Sequence, residues 1–263
     1  SQNDRMRNEQ VGVFNRSEDL PDGARLDQSD GTNWMAMFCL NMLAIALELA
    51  RQDDAYEDVA TKFLEHFFYI AHAVNSRCGP TGESEDLWDE QDEFYYDLLR
   101  LADGTTRFLR VRSMVGLIPL LAVETLDAEL LHQLPGFRGR LDWFFSHRAE
   151  FVGDAASVTR VGEADRRLFA VVSEPRLRAI LRRMLDESEF LSPHGLRSLS
   201  RWHADHPFRL NVNGRDFGEI GYGGGAACGT SGTPTSVGRV STVPGAAAGA
   251  GSGGGAGCAS APA

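Results

Sequence analysis

The densest run of side chains able to do chemistry is residues 190–203, FLSPHGLRSLSRWH. Ser192-Pro193 stops a helix and Gly195 permits a turn, so the stretch reads as a loop. It offers Arg197 with hydroxyls at Ser192, Ser198 and Ser200. A flat guanidinium flanked by hydroxyls can hydrogen-bond the vicinal hydroxyls of a sugar or a carboxylate. The structural alternative is a surface connector between two helices. His203 and His206 share HxxH spacing, but no third ligand is identifiable, and no metal site is expected.

Three other places carry side chains of the same kind. Asp30 and Trp34 head an apolar run, where the carboxylate can accept from a sugar hydroxyl and the indole can stack on a pyranose face. They serve equally as a helix cap and a core tryptophan. Trp88 and Asp97 bracket an aromatic and acidic excursion, LWDEQDEFYYD, as sugar contacts or as a structural turn. Arg112 opens a second apolar run and can bind ligand or pair with a neighbouring acid.

These residues must be positioned by helices. Residues 34–50 contain only two strongly polar side chains, Asn41 and Glu48, and no Gly or Pro, so they read as an interior helix. At that length the run falls short of a membrane span. Residues 55–74 are one-faced: Tyr56, Val59, Phe63, Phe67, Ile70 and Val74 recur at three or four. The pair predicts a helical hairpin with an inner and an outer member. Residues 112–126, with a kink at Pro119, and the amphipathic 127–148 repeat that alternation. A charged helix is expected over 174–189. Residues 94–111 suggest a β-hairpin about Asp103-Gly104.

Composition narrows the function classes. With 43% hydrophobic and 24% charged residues the chain is ordinary globular material. A formal charge of −11 argues against nucleic acid and anionic membranes as partners, while a neutral small substrate is compatible with it. The four cysteines show no metal or disulfide spacing, and the polar first residues do not read as a signal peptide, so the expectation is a cytoplasmic location or a true start that lies upstream. From residue 221 onward there is no Leu, Ile, Phe, Trp, Asp, Glu, Lys, Asn or Gln, which predicts a disordered Gly/Ala-rich tail over 221–263. Twenty-five of the 26 basic residues are arginine, the signature of a GC-rich coding sequence, and a shifted reading frame there would yield such a tail.

Residues 30–50 (DGTNWMAMFCLNMLAIALELA), 87–97 with 112–126 (RSMVGLIPLLAVETL), and 191–201 (LSPHGLRSLSR) together resemble glycoside hydrolase family 63, the processing α-glucosidase I family. The most specific match is the last, a family S-P-x-G-x-R-S-L-S loop beside the sugar site. The resemblance implies an all-α fold, a partial (α/α)6 toroid over residues 1–220, followed by the low-complexity tail. It implies an inverting α-glucosidase acting on oligosaccharides without a cofactor. An acid carboxyl would protonate the leaving oxygen, and a second carboxylate would activate water across the ring.

By the same resemblance the acid falls at Glu9, in a Glu9-Gln10 step where the family has Asp-Asn. The base would lie after a W-R-G-P-I-W segment that this sequence lacks, so the chain is expected to be a fragment inactive alone. Asp30, Trp34, Trp88, Asp97, Arg112, Arg197 and Ser198 are the implied sugar contacts. The competing reading is a non-catalytic helical scaffold or a carbohydrate-binding remnant.

Overall fold

The computed structural model describes residues 20–75, 86–148, 151 and 162–222. All belong to one compact unit that ends at Tyr222. Glu9 and, apart from Gly221 and Tyr222, the expected disordered tail lie outside the described residues.

Two long helices organise the core. Helix α1 (Ser29–Ala50) buries Ala36, Leu40, Leu43, Leu47 and Ala50, a stripe at helical spacing. A tight turn follows, in which the amides of Gln52 and Asp53 donate to the Leu49 carbonyl at 3.0 and 3.2 Å. Helix α2 (Ala55–Asn75) then packs against α1. Its buried face is Ala60, Leu64, Phe67, Phe68, Ala71 and Val74. The expected face is therefore rotated: Tyr56 and Val59 are exposed, because Ala60 and Ala71 allow close helix approach where larger residues would not.

The expectation of an all-α toroid is overturned. The described residues form a mixed α/β fold, with several small antiparallel sheets beside the helices. Strands β1 (Arg25–Asp27), β4 (Asp97–Arg100) and β5 (Thr106–Leu109) make a three-stranded sheet in the order β1-β4-β5. The β4–β5 turn carries Gly104 at φ 86°, in agreement with the hairpin read from Asp103-Gly104. Strands β2 (Trp88–Asp89) and β3 (Phe94–Tyr95) form a short hairpin upstream.

The run at 112–126 is not an inner helix. Its backbone makes a 3₁₀ segment, Met114–Leu121, and then strand β6 (Val123–Leu126), which pairs with β7 (Arg167–Ala170). Gly116 and Pro119 disfavour an α-helix there, and Val123 and Thr125 favour a strand. Gly116 is required by packing: a Cβ would clash with the Phe94 ring and the Tyr95 carbonyl.

The expected helix over 127–148 is broken in two at Pro135. Helix α3 (Ala128–Gln133) precedes α4 (Pro135–His147), whose first turn is anchored by the Glu57 carboxylate accepting from the Phe137 amide. Phe144 of α4 stacks on Phe68 at 4.8 Å, with Phe169 of β7 nearby. Helix α5 (Glu174–Met184) ends short of residue 189. Strands β8 (Leu191–Ser192) and β9 (Gly195–Leu196) close the loop at 190–203, and β10 (Phe208–Val212) with β11 (Arg215–Ile220) form a last hairpin. A second core of Leu99, Leu101, Leu109, Leu210 and Val212 joins that hairpin to the three-stranded sheet.

Candidate functional site

The loop at 190–203 folds onto the strand-like segment 112–114, distant in sequence. The Ser200 amide donates to the Arg112 carbonyl, and the Met114 amide to the Ser198 carbonyl, both at 2.8 Å. Ser113 and Leu199 form the isolated β-bridge between these segments. Two of the most informative sequence stretches are thus hydrogen-bonded into one piece.

Arg112 is the hub, at only 7% exposure. Its guanidinium donates to Glu189 Oε1 at 3.1 Å and to Asp92 Oδ1 at 3.3 Å, and lies over the Trp202 ring at 4.1 Å. Glu189 is in turn held by Arg183 at 2.6 Å and by the Ser200 hydroxyl at 2.8 Å. The Tyr96 hydroxyl donates to Asp92 Oδ2 at 2.8 Å. Burial, then the neighbouring Asp92 charge, push the Tyr96 phenol well above its ordinary range. Burial opposes the charge on Arg112, yet Tyr96, Glu189 and Asp92 outweigh it and raise its pKa.

His203 is 1% exposed and completes the cluster. Its Nε2 accepts from the Arg112 amide at 2.9 Å, and its Nδ1 faces the His206 carbonyl at 2.8 Å. An amide must donate and a carbonyl must accept, so the ring is held neutral with its proton on Nδ1. Burial, with the Arg112 charge, lowers its pKa. Trp202 stacks on His206 at 4.2 Å. Among the described residues no group of His, Cys, Asp and Glu could hold a metal ion.

The other candidates divide between framework and surface. Arg197 donates from Nη1 to the carbonyls of Glu187 at 3.0 Å, Glu189 at 3.3 Å and Leu191, binding the loop to itself. Ser198 beside it is exposed. Trp88 is buried, with Arg176 over its ring at 4.9 Å and Tyr95 edge-on, so its face is already covered.

Asp97 Oδ1 accepts the Ser29 amide at 2.7 Å and so caps α1 from strand β4. Asp30 does not begin that helix as its cap; it lies in the first turn, where its Oδ1 accepts the Gly31 amide at 2.6 Å. Trp34, one turn on, is half-buried. Asp30, Trp34 and Asp97 therefore gather at the head of α1, and Arg112, Arg197 and Ser198 share the loop junction. Sequence reasoning missed Asp92, Glu189 and His203 as partners of Arg112, because bonds between residues distant in sequence leave no local spacing.

No family model matches the chain. Over 216 residues it is 48% identical to "Uncharacterized protein YMR196W" of Saccharomyces cerevisiae, an alignment covering 79% of this chain and 20% of that protein. The chain spans about a fifth of the length of this relative.

Proposed function

We propose that this chain contributes the substrate-contacting part of an inverting glycoside hydrolase of the α-glucosidase type, acting on oligosaccharides. The observation that carries the reading is the joining of the family-like stretches. Segment 112–114 bridges 198–200, and Asp92 and Tyr96 of the aromatic excursion bond to Arg112 or to one another. Asp97 of the same excursion caps the helix that begins the first stretch. Beside the rigid rim built this way stand the exposed Ser198 and the half-buried Trp34, a hydroxyl and an indole suited to a sugar hydroxyl and a pyranose face.

In the proposed reaction an acid carboxyl gives its proton to the glycosidic oxygen as the bond to the anomeric carbon breaks. A carboxylate on the opposite face takes a proton from the attacking water. The two stand roughly 6.5–9.5 Å apart to admit that water. The acid is assigned by resemblance to Glu9, and the base, which the resemblance places after a W-R-G-P-I-W segment, has no counterpart in this sequence.

A second reading has its own support. Arg112, Trp88, Arg197 and Asp97 are engaged by protein partners, as a non-catalytic scaffold requires. Calorimetric titration of the chain with α-linked glucose disaccharides separates the two. Binding that is weakened in Ser198→Ala and Trp34→Ala, with folding unchanged, supports the sugar site; no binding to the folded chain supports the scaffold.

A further inference from the structure

Helix α1 has two apolar faces, and α2 covers only one of them. On the other side lie Met35, Phe38, Met42, Ile45 and Leu49, between 39% and 52% exposed. Their spacing of three, four, three and four is the a/d repeat of a helix–helix seam, whose average period of 3.5 keeps one stripe facing a second helix over several turns. Single exposed apolar residues need no explanation, but five aligned on one helix form a continuous patch. Residues 31–47 contain no charged side chain, so over most of its length that face has no charge on its own helix beside it.

The spacing selects the occupant. A strand would match a period of two, and a small ligand would require a concave pocket rather than a convex ridge. By length and composition the helix could cross a bilayer, but 44% of its most apolar window is already buried inside the protein. Lipid would meet only the remaining side. The yeast relative has ample polypeptide to supply a partner helix, since this chain covers 20% of its length.

We propose that the seam formed by Met35, Phe38, Met42, Ile45 and Leu49 packs against an α-helix bearing its own three-four-spaced apolar stripe, contributed by polypeptide of the longer protein beyond these 263 residues. Covered on both sides, α1 becomes a central helix of the assembled protein. The inference does not depend on what the protein catalyses.

Cysteine labelling tests it. Phe38→Cys and Ile45→Cys are made in this chain alone and in a chimera where the chain replaces the matched region of the yeast protein. Maleimide reaction is timed against the same proteins unfolded in urea. In the isolated chain both positions should label close to the unfolded rate, and in the chimera labelling should slow by roughly tenfold or more. Rapid labelling of a folded chimera overturns the proposal. So does protection in the isolated chain with a dimer's mass by light scattering, or protection acquired only on adding phosphatidylcholine vesicles. Should the chimera fail to fold, hydrogen exchange on the unaltered yeast protein, over the peptide aligned with residues 35–49, gives the same decision. Slower exchange than in the isolated chain supports the seam, and equal exchange overturns it.

Discussion

The Arg112 guanidinium and the Glu189 carboxylate meet at 3.1 Å across 77 positions of sequence, with side chains 9% and 10% exposed. This pair fastens the loop at 190–203 to the body of the protein. Removing one member leaves the other charge buried. Arg112→Met takes that cation from both Asp92 and Glu189, Glu189 keeping Arg183, and should destabilise the chain by about 1–3 kcal/mol; adding Glu189→Leu should not restore the loss, because Arg183 and the Ser200 hydroxyl then lose their acceptor. Urea denaturation of the two single variants and the double variant measures it, and equal stability of wild type and Arg112→Met would refute the assignment.

His203 makes stability depend on pH. Its folded pKa is lowered, by burial first and then by the Arg112 charge, with Glu189 and His206 also facing the ring. The unfolded chain therefore binds the proton more readily. The stabilisation is complete above the unfolded value of 6.5 and is lost as pH falls below it toward the folded pKa. Urea midpoints at successive pH values should fall over that window, and His203→Gln should flatten the slope.

Gly116 should tolerate no side chain. Gly116→Ala forces the 3₁₀ segment away from Phe94 and the Tyr95 backbone, costing about 1–3 kcal/mol as an overpacked core. Gly104→Ala, where a Cβ meets open space but φ is 86°, should cost less, through backbone strain alone. Thermal unfolding ranks the two.

Single elements of this arrangement were legible in the sequence, but the mixed α/β architecture was not. Helix α1 followed from its lack of breakers, and the β4–β5 hairpin from Asp103-Gly104. The hairpin at Asn213-Gly214, with φ of 51° and 81°, carried an equally good turn signal that the surrounding mixture of polar and apolar residues obscured. Residues 112–126 misled because apolar content does not distinguish a helix from a buried 3₁₀ turn and strand; Gly116 and Pro119 were the deciding residues. Asp97 as the cap of α1, and Glu189 as the partner of Arg112, arise from tertiary folding and have no local signature.

Asp97 distinguishes a structural from a binding role. Losing the bond to the Ser29 amide should cost about 1 kcal/mol in Asp97→Ala and less in Asp97→Asn, whose side-chain oxygen can still cap. If Asp97 also contacts sugar, Asp97→Asn weakens disaccharide binding while leaving the urea midpoint nearly unchanged.

Arg197 should act as the internal clamp of its loop. Arg197→Ala removes the Nη1 group that donates to the carbonyls of Glu187, Glu189 and Leu191. Hydrogen exchange of residues 190–200 should accelerate in that variant, while Ser198→Ala leaves exchange unaltered.

The most direct test of the proposed function is the anomeric form of the first product. The yeast-length chimera carrying this chain is incubated with α-linked glucose disaccharides and followed by proton NMR. The expected outcome is hydrolysis with β-glucose appearing first at the cleaved anomeric centre, before mutarotation. Release of α-glucose first, or no hydrolysis of any α-linked glucose disaccharide by the folded chimera, would contradict it.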